Sequence, residues 1–343
     1  MNMKHSPEDI AFMQKAIRQA EKGIGAVSPN PAVGAVIVKD GVLIGAGYHH
    51  KAGMPHAEVE AIRSVPDVSQ CKGATIYVTL EPCCTTGRTP PCCDAIIRYG
   101  FSRVVVGCSD PNPAHAGRGF ELLRSHGIEV VEDVCRDRCM ALNEAFFYWI
   151  RTKRPFVVLK LAETLDGKIA TAGGSSQWIT GAAARKHVMK LRLQSDAVMV
   201  GGETYRLDNP SLTVRNGAGK VLKTPRRIVA SRSLQAEALP AGWKLADVTT
   251  AEKWDLFLTR LGSEQVTMLL LEGGGELAAS ALSAGAVNKL EMHIAPKILG
   301  GRNSRSSVGG LDPERISDGY VLRDMSWRKA GEDWIVTCYP ERN

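Results

Sequence analysis

One stretch of the chain, residues 56–93, concentrates the side chains that can bind a metal ion and move protons. His56 and Glu58 come first, and two pairs of adjacent thiols follow them, Cys83-Cys84 and Cys92-Cys93. Zn²⁺ binds imidazole nitrogen and thiolate sulfur, and a site with three protein ligands keeps a fourth position for water. The stretch therefore predicts an open zinc site. Ordinary buried cysteines are the alternative, but they give no reason for the imidazole and carboxylate nearby.

The order of these residues follows the pattern of zinc deaminases that act on amino-substituted bases, His-x-Glu and then Pro-Cys and a further Cys. In that pattern the glutamate moves protons and does not bind the metal, which indicates this role for Glu58. We predict His56, Cys83 and Cys92 as the ligands, because each of these thiols directly follows proline. The interval between Cys83 and Cys92 is longer than usual. Cys84 and Cys93 are expected to be core thiols or substitute ligands.

Local patterns predict the elements that position these groups. A helix over 56–64 starts after a proline, and only its irregular first turn lets His56 and Glu58 face one metal. Thr75–Leu80 is predicted as a buried strand, and a helix begins at Cys92, where the helix dipole favours a thiolate. The other predicted elements of this half are a helix from Ser6, a hairpin over 32–46, strands over 103–108 and 128–131, and helices over 118–126 and 137–149. This alternation is typical of a layered α/β domain.

The composition changes near residue 150, which predicts a second domain. Eight of the nine cysteines precede residue 140. Beyond the linker at 152–155 we predict a strand over 156–161, a loop over 163–168, a helix over 182–194 and a strand over 196–200. A strand over 266–271 then leads through Gly273-Gly274-Gly275 into a helix over 276–284. Such glycines let backbone amides approach a phosphate, although a tight strand–helix turn explains them equally well.

Composition limits the class of protein. The 343 residues are enough for two domains, and 44% hydrophobic with 23% charged residues is typical of a soluble globular protein. No apolar run has the length of a membrane span, and the N-terminus has no signal-peptide segment, so we expect a cytoplasmic protein that does not bind membranes. The net charge of +7 is spread along the chain without a basic, aromatic stripe, which argues against nucleic acid as a partner.

The motifs of both halves together resemble the RibD family of bifunctional riboflavin-biosynthesis proteins, in which a pyrimidine deaminase is fused to a pyrimidine reductase. The resemblance covers nearly the whole chain. Its most specific parts are Ser28–Gly34, His56-Ala57-Glu58, Glu81–Cys92, Asp110–Pro113, Leu165-Asp166-Gly167, Ser176–Thr180, Asp208–Arg215, Glu272-Gly273-Gly274 and Ala295-Pro296-Lys297. The long interval between the thiols is this family's own.

This resemblance implies an α/β fold with two domains. Residues 1–150 would form a zinc-dependent, cytidine-deaminase-like domain of three layers, and residues 151–343 a dihydrofolate-reductase-like domain that binds NADPH. The substrate would be a small phosphorylated pyrimidine, and the protein would be a homo-oligomer, most simply a dimer.

The resemblance also assigns roles to single residues. Zinc would be held by His56, Cys83 and Cys92, with Glu58 as the catalytic acid–base. The deaminase substrate positions are Asn30, Arg88, Asp110 and Asn112. The cofactor positions are Ala162, Trp178, Thr204, Asp208, Gly274, Gly275, Glu276, Leu277, Ala278, Ala279 and Ser280. The reductase substrate positions are Ser176, Arg192, Leu212, Arg215 and Glu272, and the two arginines suit a phosphate.

The chain departs from the family pattern at three places. Thr85 and Thr86 stand where the family usually has one or two histidines, which affects substrate contacts and not the zinc ligands. Asn288 replaces a usual acidic residue, and the segment around Ser231 lacks an expected Asp-Ser pair.

Two rival functions use parts of the same pattern. A nucleic-acid base deaminase would need a basic, aromatic surface in the second half. A structural zinc domain would close the site with a fourth thiol and leave Glu58 without a task.

Overall fold

The computed structural model describes residues 5–86, 90–112 and 116–341, in two units that divide after Thr152. The first unit contains a five-stranded sheet of order β2-β1-β3-β4-β5, in which β1 runs antiparallel to β2 and β3 while β3, β4 and β5 are parallel. Its strands are β1 (Gly34–Lys39), β2 (Val42–Tyr48), β3 (Thr75–Val78), β4 (Arg103–Val106) and β5 (Glu129–Val131). Its helices are α1 (Pro7–Ala20), α2 (Ala57–Arg63), α3 (Cys92–Arg98), α4 (Arg118–Ser125), α5 (Arg136–Leu142) and α6 (Glu144–Thr152).

Strand alternation divides this unit into three layers. On β1, Ala35 and Ile37 belong to the core under α2, α3 and α4, whereas Val36 and Val38 belong to the core under α1, α5 and α6. Successive strand residues point to opposite faces, so this buried strand supplies both cores. The predicted hairpin and layered α/β architecture are confirmed.

The prediction of one helix over 137–149 is wrong, because the helix breaks at Asn143. The Asn143 side chain accepts a hydrogen bond from the Ala32 amide at 2.8 Å and donates one to the Ala32 carbonyl at 2.9 Å. This buried pairing competes with a continuous helix, and Asn143 leaves the helical conformation with φ −123°. Two helices, α5 and α6, therefore replace the predicted one.

The second unit is built on an eight-stranded sheet of order β12-β11-β8-β13-β6-β14-β17-β16. Its strands are parallel up to β14, and β17 runs antiparallel to both of its neighbours, β14 and β16. The sheet strands are β6 (Phe156–Thr164), β8 (Ala197–Gly201), β11 (Arg226–Ala230), β12 (Trp243–Ala246), β13 (Met268–Glu272), β14 (Lys289–Ala295), β16 (Leu322–Ala330) and β17 (Asp333–Pro340). Short pairs are formed by β7 (Lys168–Ala170) with β15 (Arg305–Ser306), and by β9 (Val214–Arg215) with β10 (Val221–Lys223). The helices are α7 (Ala182–Gln194), α8 (Gly202–Asp208), α9 (Ala251–Ser263) and α10 (Gly275–Ser283).

The two faces of this sheet differ in chemistry. Apolar residues of the central strands pack with α9 and α10 into one core, which includes Leu159, Leu161 and Trp254. The alternate residues of the same strands, such as Lys160, face the side of α7. The predicted loop over 163–168 is wrong at its start, because Glu163 and Thr164 continue β6 in register with β14. In the part of the chain that the structure describes, no helix combines the length and apolar character of a membrane span.

A buried ion pair joins the layers of the first unit. Arg103 on β4 donates to both carboxylate oxygens of Asp9 on α1, at 2.7 and 3.0 Å, and the Tyr77 hydroxyl donates to the same carboxylate at 3.0 Å. The Arg103 guanidinium holds the pKa of Asp9 below its usual value. The pair therefore stabilises the fold while Asp9 is ionised.

Replacing Asp9 with Asn is expected to destabilise the first unit by about 3 kcal/mol, because it leaves Arg103 without its buried counter-charge. The lowered pKa gives stability that is complete above the unfolded pKa of about 4 and is lost as the pH falls through the folded value. The difference between wild type and Asp9→Asn should thus shrink below pH about 4. Urea unfolding, followed by hydrogen exchange of the α1 amides, measures this difference in the free energy of unfolding.

Glu129→Gln is the matched control, since Glu129 also accepts from Arg103 but its side chain is 63% exposed. Its effect should stay below about 1 kcal/mol. Equal losses in the two variants would contradict the importance of the buried partner.

Candidate active sites

Three elements bring His56, Cys83 and Cys92 together in the first unit. His56 is the residue before α2 and has extended backbone angles, Cys83 lies beyond the end of β3, and Cys92 is the first residue of α3. Their ligand atoms all lie within 4.8 Å of one another. The Nδ1 atom of His56 is 3.2 Å from the Cys92 sulfur and 3.5 Å from the Cys83 sulfur. The extended N-cap turns His56 toward the same point as the thiols.

This donor set fits zinc. Tetrahedral zinc with ordinary bond lengths would separate nitrogen and sulfur ligands by about 3.5 Å, close to both distances from His56. The Cys92 amide donates to the Cys83 sulfur at 3.3 Å. Hydrogen bonds from the Cys92 thiol and from His56 lower the pKa of Cys83 to about 4, so this side chain is a thiolate near neutral pH. Three protein ligands leave the fourth position open.

Glu58 lies beside this group in the first turn of α2 and is 3% exposed. Burial, followed by the charge of Cys83, raises the pKa of Glu58 to about 7. The Cys92 thiol hydrogen-bonds to the Glu58 carboxylate, which places it next to a ligand. A buried carboxyl whose pKa is near neutral can both accept and release a proton.

The other two thiols are not part of this cluster. Cys93 is fully buried in the core under α2, α3 and α4, and its sulfur donates to the Pro82 carbonyl at 3.4 Å. Cys84 packs against the same core. Among the described residues, neither joins the cluster of three ligands.

Asn30 connects to the zinc cluster through His49, a residue that sequence reasoning missed. Its side-chain amide donates to His49 Nε2 at 3.0 Å, while His49 Nδ1 donates to the Pro55 carbonyl at 3.0 Å. The rings of His49 and His56 meet edge to face, with centroids 5.3 Å apart. The Nε2 atom of His49 therefore orients the Asn30 side-chain amide, while the His49 ring packs against the ligand His56.

Asp110 is anchored by a second residue that sequence reasoning missed, Glu81, which lies two positions before Cys83. The Glu81 carboxylate is 4% exposed and accepts hydrogen bonds of 3.1 Å from the amides of Asp110, Gly117 and Gly119. Asn112 follows in the same segment, and its backbone amide donates to the Asp110 carboxylate at 2.8 Å. Only the position of Glu81 directly before Pro-Cys could have indicated its importance. Arg88 lies outside the described residues, whereas Thr85 and Thr86 are exposed.

A large cavity of about 1230 Å³ lies in the second unit, at the carboxyl ends of the parallel strands. This edge is where open α/β sheets usually bind ligands. Thirteen of the sixteen predicted positions line it, namely Ala162, Ser176, Trp178, Arg192, Thr204, Asp208, Leu212, Glu272, Gly274, Gly275, Glu276, Leu277 and Ser280.

Three predicted positions do not line this cavity. Ala278 is fully buried in the core of the sheet, because it lies on the inner side of α10. Ala279, also on α10, packs close to Gly310. Arg215 is exposed on β9, where its Nε donates to the Thr213 hydroxyl at 3.1 Å.

Arg192 and Glu272 form a charged pair in the cavity wall. Arg192 donates to the two carboxylate oxygens of Glu272 at 2.6 and 2.8 Å, and to the Thr213 carbonyl at 3.2 Å. Their side chains are only 14% and 11% exposed. This bidentate geometry fixes the guanidinium in one orientation.

The glycine turn is tightly packed, as one of the two alternatives requires, and it also borders the cavity. A Cβ atom on Gly275 would lie 2.7 Å from the Ser306 carbonyl oxygen, so tight packing requires glycine there. Gly274 is the N-cap of α10 and borders the cavity, near the Thr204 hydroxyl. The amides at the start of α10 therefore face a space that can hold an anion.

Lys160 is a cavity residue that sequence reasoning missed. It lies on β6 in register with Glu272 on β13 and lines the same space. Burial lowers the pKa of Lys160. A single lysine within an otherwise apolar predicted strand was the available signal.

Comparison with known proteins agrees with the division into two units. The family model described as "Cytidine and deoxycytidylate deaminase zinc-binding region" matches residues 6–108, and that described as "RibD C-terminal domain" matches residues 155–336. A riboflavin biosynthesis protein RibD from Actinobacillus pleuropneumoniae is 42% identical over 96% of this chain and 94% of its own length.

Solved structures give the same result. The RibD structure from Acinetobacter baumannii, form 1, has a TM-score of 0.86 at 36% identity, over 98% of this chain and 99% of its own. A deaminase/reductase from Thermotoga maritima has a TM-score of 0.84 at 35% identity, over 97% and 99% of the two chains. The predicted fold class, with a cytidine-deaminase-like first half and a reductase-like second half, is confirmed, and the chain belongs to the RibD family of riboflavin biosynthesis proteins.

Proposed function

We propose that the chain catalyses two consecutive steps of riboflavin biosynthesis. The first is hydrolytic deamination of 2,5-diamino-6-(5-phosphoribosylamino)pyrimidin-4(3H)-one, in the unit that begins the chain, residues 1–150. The second is NADPH-dependent reduction of 5-amino-6-(5-phosphoribosylamino)uracil to its ribityl form, in residues 151–343. The observation that carries the proposal is a buried Glu58 beside a cluster of His56, Cys83 and Cys92, within a chain that belongs to the RibD family.

In the deaminase, His56, Cys83 and Cys92 would hold zinc, which when bound would lower the pKa of water toward neutrality. Glu58 accepts the proton of the attacking water and delivers it to the leaving ammonia, since its carboxyl lies against the ligand cluster. Asn30, Asp110, Asn112 and Arg88 bind the pyrimidine and its phosphate. His49 and Glu81 orient Asn30 and Asp110 through the hydrogen bonds described above.

In the reductase, NADPH supplies the hydride, and the protein supplies alignment. The carbon to be reduced is C1 of the ring-opened ribosyl group, which the substrate residues would orient toward the cofactor. Residues at the start of α10, with Ala162, Trp178, Thr204 and Asp208, bind the cofactor. Ser176, Arg192, Leu212 and Glu272 bind the substrate. Because the cavity lies at the ends of the parallel strands, both ligands can meet above the sheet.

The partner we propose is a second copy of the chain. Strand β16 is the last strand of its sheet, and seven of its nine residues are exposed. Met325 and Trp327 on this strand, with Trp334 on β17, leave 51%, 57% and 43% of their surfaces exposed. A long edge strand with large apolar side chains is suited to pairing with another chain. Sedimentation of the purified protein measures the stoichiometry.

We place the enzyme in the cytoplasm. The nine cysteines are all free thiols in this structure. Thiolate ligands of a metal and a reduced nicotinamide cofactor both suit a reducing compartment.

The proposal is tested by giving each unit its own substrate. Ammonia release from the diaminopyrimidinone is measured without NADPH, and NADPH oxidation is measured with the aminouracil. Both activities are expected in the zinc-loaded chain. Reduction without ammonia release would show that the Thr85-Thr86 variation has disabled the first site, and absence of both would refute the proposal.

Replacing Glu81 with Gln is expected to raise the KM of deamination about tenfold. One of the three backbone amides that donate to Glu81 would lose its buried acceptor. This loss costs about 1–3 kcal/mol and displaces Asp110. The turnover number should change less than KM, and the zinc content should not change. Steady-state kinetics and metal analysis measure these quantities.

Asp67→Asn is the control for this substitution, because Asp67 accepts an amide hydrogen bond from Ser69 at the surface. It should behave like wild type. If Glu81→Gln lost zinc in proportion to activity, Glu81 would act on the metal site and not on the substrate segment.

A further inference from the structure

A second cluster of potential metal ligands lies in the second unit, where α7 packs against β14. It consists of His187 on α7 and of Glu291 and His293 on β14, and its three ligand atoms all lie within 4.8 Å of one another. Glu291 and His293 are two residues apart on a strand, so both point to the α7 face of the sheet. The reactions proposed above assign no role to any of the three.

His293 is the unusual member. Its side chain is fully buried, and neither ring nitrogen has a hydrogen-bond partner among the described residues. Its Nε2 lies 3.7 Å from the Glu291 carboxylate, which is too long for a hydrogen bond. Burying an imidazole without partners is costly. A ligand that binds its nitrogen would remove this cost.

The geometry of the cluster fits a zinc-type ion. His187 Nε2 is 2.9 Å and His293 Nε2 is 3.7 Å from the same Glu291 oxygen. A tetrahedral zinc ion with ordinary bond lengths separates such ligands by about 3.4 Å, between these two values. Two imidazoles and one carboxylate are a known zinc ligand set. Small side-chain rotations would place all three donors around one ion.

We propose that His187, Glu291 and His293 form a second binding site for a divalent ion of the zinc type. The site differs from the first in having no thiolate. It connects α7 to the sheet, and α7 also carries Arg192 in the cavity wall. An ion that binds the folded state only would stabilise the second unit by mass action.

Two cations compete with the ion. Arg328 donates to His187 Nδ1 at 3.1 Å, which leaves the proton of the neutral ring on Nε2. Metal binding through Nε2 moves this proton to Nδ1, so the exposed Arg328 must turn away. Lys160 on β6 is in register with Glu291 and lowers the affinity through its charge. Removing Arg328 should therefore strengthen binding.

The test is the metal content of the full chain after removal of metal by chelation and equilibration with buffered Zn²⁺. Wild type should bind two equivalents, and His293→Leu and His187→Asn should each bind one. His187→Asn keeps the interior of the sheet intact, since His187 is partly exposed. His126→Asn is the control, because His126 is exposed and outside both clusters, and it should retain two equivalents.

Cobalt substitution identifies which site is lost. Co²⁺ at the thiolate site gives sulfur charge-transfer absorption, whereas Co²⁺ at the second site gives only its visible bands. His293→Leu should remove the latter and keep the former, and Arg328→Met should lower the Kd of the second site several-fold. One equivalent in wild type, or two equivalents in both His187→Asn and His293→Leu, would overturn the proposal.

Discussion

Glu58→Gln is expected to lower the rate of ammonia release by about a thousandfold, the usual contribution of a positioned acid–base group. Glutamine keeps the shape of the buried side chain but cannot accept the proton of the attacking water. The zinc content should remain that of wild type, because Glu58 is not one of the three ligands. NADPH oxidation with supplied aminouracil should also be unchanged, since that reaction belongs to the other unit.

Glu60→Gln provides the matched control on the same helix. Glu60 forms an ion pair with the exposed Arg63 and lies outside the ligand cluster. Its replacement should leave deamination intact. Loss of zinc in Glu58→Gln, or equal loss of activity in both variants, would contradict the acid–base role.

Arg192→Met is expected to abolish reduction and to destabilise the second unit by about 3–5 kcal/mol. The substitution leaves the buried Glu272 carboxylate without its counter-charge, and this costs more than the loss of an exposed pair. Ammonia release by the first unit should persist. NADPH oxidation and urea unfolding of the full chain measure the two effects.

A double variant separates stability from activity. Arg192→Met combined with Glu272→Met should recover much of the stability, because no unpaired charge remains, but it should not recover reduction. Arg226→Met is the control, since the Arg226–Glu264 pair is 41% and 34% exposed. Recovery of activity in the double variant would show that the pair is structural only.

Local signals in the sequence were sufficient to predict the ligands of the first site and the bounds of some elements. The helix predicted over 182–194 is α7 with the same bounds, and His56, Cys83 and Cys92 meet as the motif predicted. The bounds of a helix depend on caps, prolines and hydrophobic periodicity within a few residues, whereas the meeting of the three ligands was predicted from the motif. Distant elements have little influence on these helix bounds.

The features that sequence reasoning missed depend on contacts between distant residues. The helix break at Asn143 follows from its pairing with Ala32, 111 residues away. Glu81 gains its importance from amides 29 to 38 residues later. His187 meets Glu291 across 104 residues. No local pattern encodes these pairings, because they form only when the sheet order is complete.

Arg215 is a predicted site residue whose side-chain direction could not be read from the sequence. Family positions place it at the substrate, and it follows the cavity residue Leu212 closely in sequence. In the structure its side chain lies outside the cavity lining. A residue's place in a motif therefore indicates its neighbourhood but not the direction of its side chain.

The central claim is that one chain performs deamination and then reduction. The most direct measurement gives the zinc-loaded protein only the diaminopyrimidinone substrate and NADPH, and follows ammonia and NADPH together. The account predicts that ammonia appears first and that NADPH is then oxidised, with one NADPH consumed for each ammonia released. NADPH oxidation without ammonia release, or ammonia release that is never followed by NADPH oxidation, would contradict it.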